Sequence, residues 1–152
     1  MMLEIARLGG EETPVSLATV SGRSHLSRGY LEQLALGLRN AGLLRGVCGK
    51  QGGYRLGRHP DEITIGQIIE AAIGPVNIVE CVGDPLSCLR CDFCECRPVY
   101  VLMNRRISEV LNGFTLAQML DPRWVRSMNA GIACSAGHVG VPGAAGSAIR
   151  EE

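Results

Sequence analysis

SRGYLEQLALGLRNAGLLRGVCGKQGGYRL, residues 27–56, decides the fold. Ser27 is a natural N-cap. Leu31, Leu34, Leu38 and Ala41 then recur at helical spacing, and Gly42 is the expected stop. Gly29 and Gly37 each weaken such a helix by roughly 1 kcal/mol relative to Ala, so tertiary packing must hold it. Beyond Gly42, the runs Leu43–Val47 and Gly53–Leu56 alternate around a glycine-rich turn at Cys48–Gly52, which reads as a β-hairpin. Just upstream, Ser16 can cap a short helix from Leu17 to about Gly22, and Arg23-Ser24-His25-Leu26 forms a tight turn. Helix, turn, helix, hairpin is the order of a winged helix. The expected fold is therefore mainly α with a small β-hairpin wing.

Working outward, Met1–Leu8 reads as an amphipathic helix stopped by Gly9-Gly10. Thr64 and Gln67 make a capping box for a helix through Ile65, Ile68, Ile69 and Ala72 to Gly74, where Pro75 breaks it. Pro98 suits the first position of a long helix. Its apolar stripe runs Val99, Met103, Ile107, Val110 and Phe114, widened by Leu102 and Leu111. Gly113 ends it, and Thr115 with Gln118 caps a short last helix. The expected organisation is a winged helix-turn-helix over 1–75, a cysteine-rich loop over 76–97, a dimerisation helix and short last helix over 98–120, and a disordered tail over 121–152. The stretch Gly137–Ser147 is rich in Gly, Ala and Pro.

Of the 152 residues 46% are hydrophobic but only 4% aromatic, so the core must be built from Leu, Ile, Val and Ala. No run is long and apolar enough to span a membrane, and no secretory signal opens the chain, so the expected compartment is the cytoplasm. In that compartment seven cysteines are better explained as metal ligands or redox thiols than as structural disulfides.

The net charge is zero, yet its distribution is uneven. From Arg23 to Arg58 there are seven basic residues (Arg23, Arg28, Arg39, Arg45, Lys50, Arg55, Arg58) against Glu32 alone. Such a patch is the footprint of phosphate binding, which the whole-chain sum hides. The second helix of a helix-turn-helix presents its N-terminal residues to base edges in the major groove. Here those are Ser27, Arg28, Tyr30, Glu32 and Gln33. Arg28 suits guanine or a phosphate, and Glu32 suits a cytosine amino group. Arg39 and Arg55 extend the basic surface, and the wing would bring Lys50 to the sugar–phosphate backbone.

Five further candidates are thiols. Cys81, Cys88, Cys91, Cys94 and Cys96 crowd into sixteen positions. Thiolates favour iron–sulfur clusters, zinc or copper(I). Cys88-x2-Cys91 and Cys91-x2-Cys94 are tight chelating spacings. The longer loop that separates the two pairs of a zinc ribbon is missing, so an iron–sulfur centre fits better. Cys48 and Cys134 stand apart and are read as non-ligands. The apolar stripe after the loop is a natural homodimer seam, since helix-turn-helix proteins bind paired half-sites. Gly49-Lys50-Gln51-Gly52 lacks the spacing of a phosphate-cradling loop, and no catalytic constellation is present, so no enzymatic activity is expected. Two alternatives stay open: a zinc-stabilised structural or interaction module, and a cluster-free thiol-based redox regulator.

Several runs together resemble a known family. Tyr30-Leu31-Glu32-Gln33-Leu34, Leu38-Arg39, Ala41-Gly42-Leu43, Gly52–Leu56, Ile63-Thr64-Ile65-Gly66, Gly74-Pro75 and Thr115-Leu116 look like the winged-helix regulators typified by IscR, NsrR and RirA. The resemblance spans about Leu3 to Leu120. It implies a dimeric repressor or activator that binds a double-stranded DNA operator. It also implies an iron–sulfur cluster (2Fe-2S or 4Fe-4S) on three cysteines, which carry over to Cys81, Cys88 and Cys94, and a signal of redox state, nitric oxide or iron status. Three departures stand out. Arg97 replaces the histidine of IscR-type members, so a fourth ligand must come from Cys91, Cys96 or the partner subunit. Cys48 stands where the wing usually carries an arginine. The family's first helix begins further upstream, so Met1-Met2 reads as an internal start or a truncated gene model.

Overall fold

The computed structural model describes residues 1–49 and 51–134. Residues 1–120 form one compact unit, so the winged, cysteine-loop and long-helix segments belong to a single body. It opens with α1 (Met2–Leu8), α2 (Leu17–Ser24) and α3 (Arg28–Asn40). Both expected caps are made. Ser16 Oγ accepts from the Thr19 N–H at 3.1 Å, and Ser27 Oγ from the Tyr30 N–H at 3.3 Å. Helix α2 runs two residues past Gly22, and His25 ends it at φ +57°, a left-handed stop from a residue other than glycine. Gly42 sits just beyond the end of α3 at φ +70°, where the Leu43 N–H closes back on the Leu38 carbonyl at 2.9 Å. That is the glycine stop read from the sequence.

Strands β1 (Leu44–Val47) and β2 (Gly53–Leu56) pair antiparallel in the register Leu44–Leu56, Arg45–Arg55, Gly46–Tyr54 and Val47–Gly53. Reciprocal hydrogen bonds between Val15 and Tyr54 tie the wing to the chain entering α2. Gly53 lies so close to Val15 that a Cβ would overlap its carbonyl. The core is aliphatic as expected: Ile5, Val20, Leu31, Leu38, Leu43, Leu44, Ile63 and Leu116 are fully buried. Glu4 joins α1 to the last turn of α2 by accepting from Arg23, and it also accepts from Arg7. The hydrogen bond from Arg23, then that from Arg7, holds its carboxyl below the usual range.

Next come α4 (Ile65–Ile73), the short α5 (Glu80–Gly83), α6 (Arg97–Asn112) and α7 (Leu116–Leu120). Thr64 and Gln67 form the full capping box at α4. Thr115 and Gln118 repeat it at α7, at 2.9 and 3.3 Å. Helix α6 starts one residue before Pro98, and Phe114 lies past its end.

The disordered tail expected from Asp121 needs correction. Pro122–Cys134 is a thirteen-residue helix, α8, in a second unit that begins at Asp121. Its start carries a signature that went unread: Asp121 Oδ1 accepts from the Arg123 N–H at 2.8 Å, and Pro122 takes the first position. The rest of the expected tail lies outside the described residues. No helix among them is long and apolar enough to cross a membrane.

Candidate nucleic-acid interface and cysteine loop

Ser27, Arg28, Tyr30, Glu32 and Gln33 are all exposed at the N-terminal half of α3, on the side away from buried Leu31, Ala35 and Leu38. Three of them are already engaged. Ser27 Oγ is the helix cap, and Arg28 Nε donates to Glu32 Oε1 at 3.0 Å. Glu32 therefore masks a cation on the face that would meet phosphate. Arg28, Glu32 and Tyr54 line a cleft of about 340 Å³ between the starts of α2 and α3 and the wing. Arg39 is exposed at the far end of α3, where a second cleft of about 320 Å³ runs along the wing past Cys48 and Tyr54.

The hairpin register adds a residue that the list of candidates missed. Arg45 lies directly across from Arg55. Among the described residues neither makes an ion pair. Two like charges at paired positions of an antiparallel ribbon repel, which an approaching anion would relieve. The two-residue alternation of the wing strands could have pointed to Arg45 had its register been known. Not every arginine of the basic run is free: Arg23 holds Glu4, and Arg58 Nη2 donates to Gln67 Oε1 at 3.4 Å. Lys50 lies outside the described residues.

The cysteines sit in a chain of short turns between α4 and α6. Three-residue 3₁₀ turns span Pro85–Ser87 and Cys91–Phe93. Cys81, Cys88 and Cys94 are half-buried, Cys91 is buried and Cys96 is exposed at the N-cap of α6. None of these thiols is in a disulfide. Among the described residues no three metal-binding groups converge on one point, so the loop is not a preassembled cage. The Nε of Arg97, the first residue of α6, is buried with no hydrogen-bond partner. A buried donor of this kind costs about 1–3 kcal/mol unless something accepts its proton. Thiolates are the soft ligands that iron–sulfur centres take, so the donor set fits such a centre.

Helix α6 is packed the wrong way round for a lone chain. Its half-buried positions, Arg97, Tyr100, Asn104, Ser108 and Leu111, follow helical spacing on one side and are largely polar. Val99, Leu102, Met103, Ile107 and Val110 are exposed, and none of its sixteen residues is fully buried. Arg105 and Arg106 both pair with Glu109, at 2.9 and 3.0 Å. Those hydrogen bonds, Arg105 first, keep its carboxyl below the usual range.

Residues 1–122 match the family described as Rrf2, iron-dependent transcriptional regulator. The chain belongs to the Rrf2 family. Among similar proteins, the HTH-type transcriptional regulator IscR of Aliivibrio salmonicida is 40% identical over 128 residues, covering 84% of this chain and 75% of that protein. Among solved structures, CymR, the global cysteine regulator of B. subtilis, is 38% identical with a TM-score of 0.61, covering 78% of this chain and 86% of that one. The IscR of T. potens is 39% identical, also with a TM-score of 0.61, covering 78% and 77%. As an Rrf2 protein the chain is a winged-helix, DNA-binding transcription regulator, not an enzyme.

Proposed function

We propose that this Rrf2 protein binds a palindromic operator as a homodimer, and that an iron–sulfur cluster on Cys81, Cys88 and Cys94 sets its affinity for that operator. The observation that carries the reading is the thiol loop that leads into α6. Its five cysteines are all free, Cys91 buried and Cys81, Cys88 and Cys94 half-buried. The exposed apolar side of α6 supports the dimer, because a helix that hides its polar side and wets its apolar side calls for a partner. Ser27, Arg28, Tyr30, Glu32, Gln33 and Arg39 on α3, with Arg55 and Lys50 of the wing, are the proposed DNA contacts.

When bound, the cluster supplies a cross-link that fixes the spacing of the loop cysteines and that redox state, nitric oxide or iron supply can remove. The chain's own residues offer a route onward. At the loop's start the Ile78 N–H donates to Asn104 Oδ1 of α6 at 3.1 Å. At the far end of α6, Thr64 Oγ1 donates to Asn112 Oδ1 at 3.0 Å, and the Asn112 side chain lies against Gly66 in the first turn of α4. Helix α4 in turn touches the backbone of α3 at Gly37. A shift of the loop along α6 thus has contacts by which to tilt the recognition helix.

Anaerobic purification with a visible spectrum and iron, sulfide and zinc analysis tests the reading. Brown protein with matched iron and sulfide, and operator affinity that changes when the iron is removed, is the expected result. Colourless protein with stoichiometric zinc overturns it in favour of a structural metal. One second reading has its own support: thiols with no assembled metal site, two of them (Cys48 and Cys96) exposed, suit a cluster-free redox regulator. It predicts no metal after reconstitution, with operator binding that responds to oxidant and recovers with reductant.

A further inference from the structure

We infer that Leu86, Leu89 and Phe93 of the loop between α5 and α6 seat on a second copy of this chain and provide about half of the apolar area of the subunit interface; this rests on the homodimer reading above. These side chains are 93%, 100% and 84% exposed, more than any other large apolar side chain among the described residues. Single apolar side chains scattered over a surface are ordinary, but three in one short stretch of turns make a patch that calls for a cover.

Hydrogen bonds show where the patch stands. The loop starts against α6 at Asn104, whose Oδ1 accepts from the Ile78 N–H at 3.1 Å. It returns to α6 where the Arg97 N–H donates to the Cys94 carbonyl, also at 3.1 Å. Arg97 and Asn104 are two turns of helix apart, roughly 10 Å. The loop therefore lies along the N-terminal half of α6, the half that carries exposed Val99, Leu102 and Met103. Asn104 belongs to the half-buried side of α6, so the loop is anchored on that side while its apolar tips stay in water.

Charge and area say what covers the tips. From Asn77 to Cys96 the acids Glu80, Asp84, Asp92 and Glu95 stand against Arg90 alone. A patch set among those carboxylates is repelled by DNA phosphates and by anionic surfaces, so its occupant is protein. The stripe on α6 is too small to hold two subunits by itself. A large apolar side chain offers roughly 60–120 Å² for burial. Val99, Leu102, Met103, Ile107 and Val110 are about half exposed, which leaves roughly 200–250 Å² among them. A homodimer interface of ordinary size covers about 800 Å² per subunit, of which roughly 500 Å² is apolar. The α6 stripe meets about half of that need, and the almost fully exposed Leu86, Leu89 and Phe93 add roughly the other half. In a two-fold assembly the contact is isologous, so each subunit brings its own loop and receives the loop of the other.

Sedimentation equilibrium of the full chain, purified anaerobically with reductant, reads the dimer dissociation constant. Wild type is expected to be a dimer. The triple variant Leu86→Ser, Leu89→Ser and Phe93→Ser is expected to raise the constant at least about tenfold. Its far-ultraviolet circular dichroism should stay that of wild type, because side chains already in water have no packing to lose. Leu36→Ser removes an exposed apolar side chain from α3 and is expected to leave the constant unchanged. A smaller change in the triple variant, or an equal change in Leu36→Ser, overturns the inference and leaves the homodimer reading standing. A wild-type chain that stays monomeric at every concentration overturns both. Should the triple variant fail to fold, Phe93→benzoylphenylalanine in the otherwise native chain decides. Irradiation is then expected to yield cross-linked dimers, and their absence overturns the inference.

Discussion

Gly37 of α3 and Ala71 of α4 meet backbone to backbone: a Cβ on Gly37 would overlap the Ala71 carbonyl oxygen. This contact fixes the recognition helix on the helix that receives α6. A backbone atom cannot swing aside as a side-chain tip can, so Gly37→Ala must separate the helices. Overpacking of this kind costs about 1–3 kcal/mol, which outweighs the gain of about 1 kcal/mol in helix propensity. Denaturant unfolding of the metal-free protein should show that loss. Gly22→Ala is the control, since a Cβ at Gly22 in α2 meets nothing within 4 Å, and it should stabilise by up to about 1 kcal/mol. Equal effects at the two positions would refute the packing argument.

The same glycine shows what the sequence could and could not reveal. Caps and stops are local chemistry, so Ser16, Ser27, Thr64 and Thr115 gave their helices away, as did Gly42. In isolation Gly37 looked only like a weak spot. That it makes room for α4 depends on a contact thirty-four residues away in the chain. Arg45 was visible as a charge, but its place opposite Arg55 is a matter of register. The apolar stripe of α6 was legible; that the polar side faces the chain's own body was not, because spacing alone does not say which side a helix turns inward. Helix α8 was missed because the Gly- and Ala-rich composition further on was allowed to speak for residues with a clear cap of their own.

Asn112 is expected to matter more for coupling than for stability. It accepts from Thr64 Oγ1 at 3.0 Å and lies against Gly66, so it joins the end of α6 to the start of α4. Losing one such exposed hydrogen bond costs about 0.5–1.5 kcal/mol. Asn112→Ala should leave cluster content unchanged and bring the operator affinities of the cluster-loaded and metal-free forms closer together. Fluorescence anisotropy on both forms measures this. An unchanged ratio would remove α6–α4 from the route.

Arg45 and Arg55 should behave as a pair of phosphate contacts. Arg45→Ala or Arg55→Ala is expected to weaken binding to operator and to unrelated duplex alike, and to lower the slope of log K against log salt by about 1. Because each relieves a like-charge pair on the ribbon, neither should destabilise the fold. Glu32→Ala should act in the opposite sense, freeing Arg28 and raising affinity for unrelated duplex. Loss of affinity confined to one operator base pair would instead make an arginine of the wing a base reader.

The outer side of α6 gives the sharpest test of assembly. Leu102 is 55% exposed and Val99 57%, so a lysine at Leu102 meets only water if the chain works alone. In a dimer seam the same lysine is buried against apolar side chains, and an unpaired charge there is costly enough to separate the subunits. Leu102→Lys is therefore expected to sediment as a monomer with an unchanged far-ultraviolet spectrum and unfolding midpoint at low concentration. Operator affinity should collapse, because one winged helix is left to hold one half-site, while binding to an isolated half-site at low salt persists weakly. A Leu102→Lys protein that still sediments as wild type would place the subunit contact elsewhere. A monomer with full operator affinity would detach DNA recognition from dimerisation altogether.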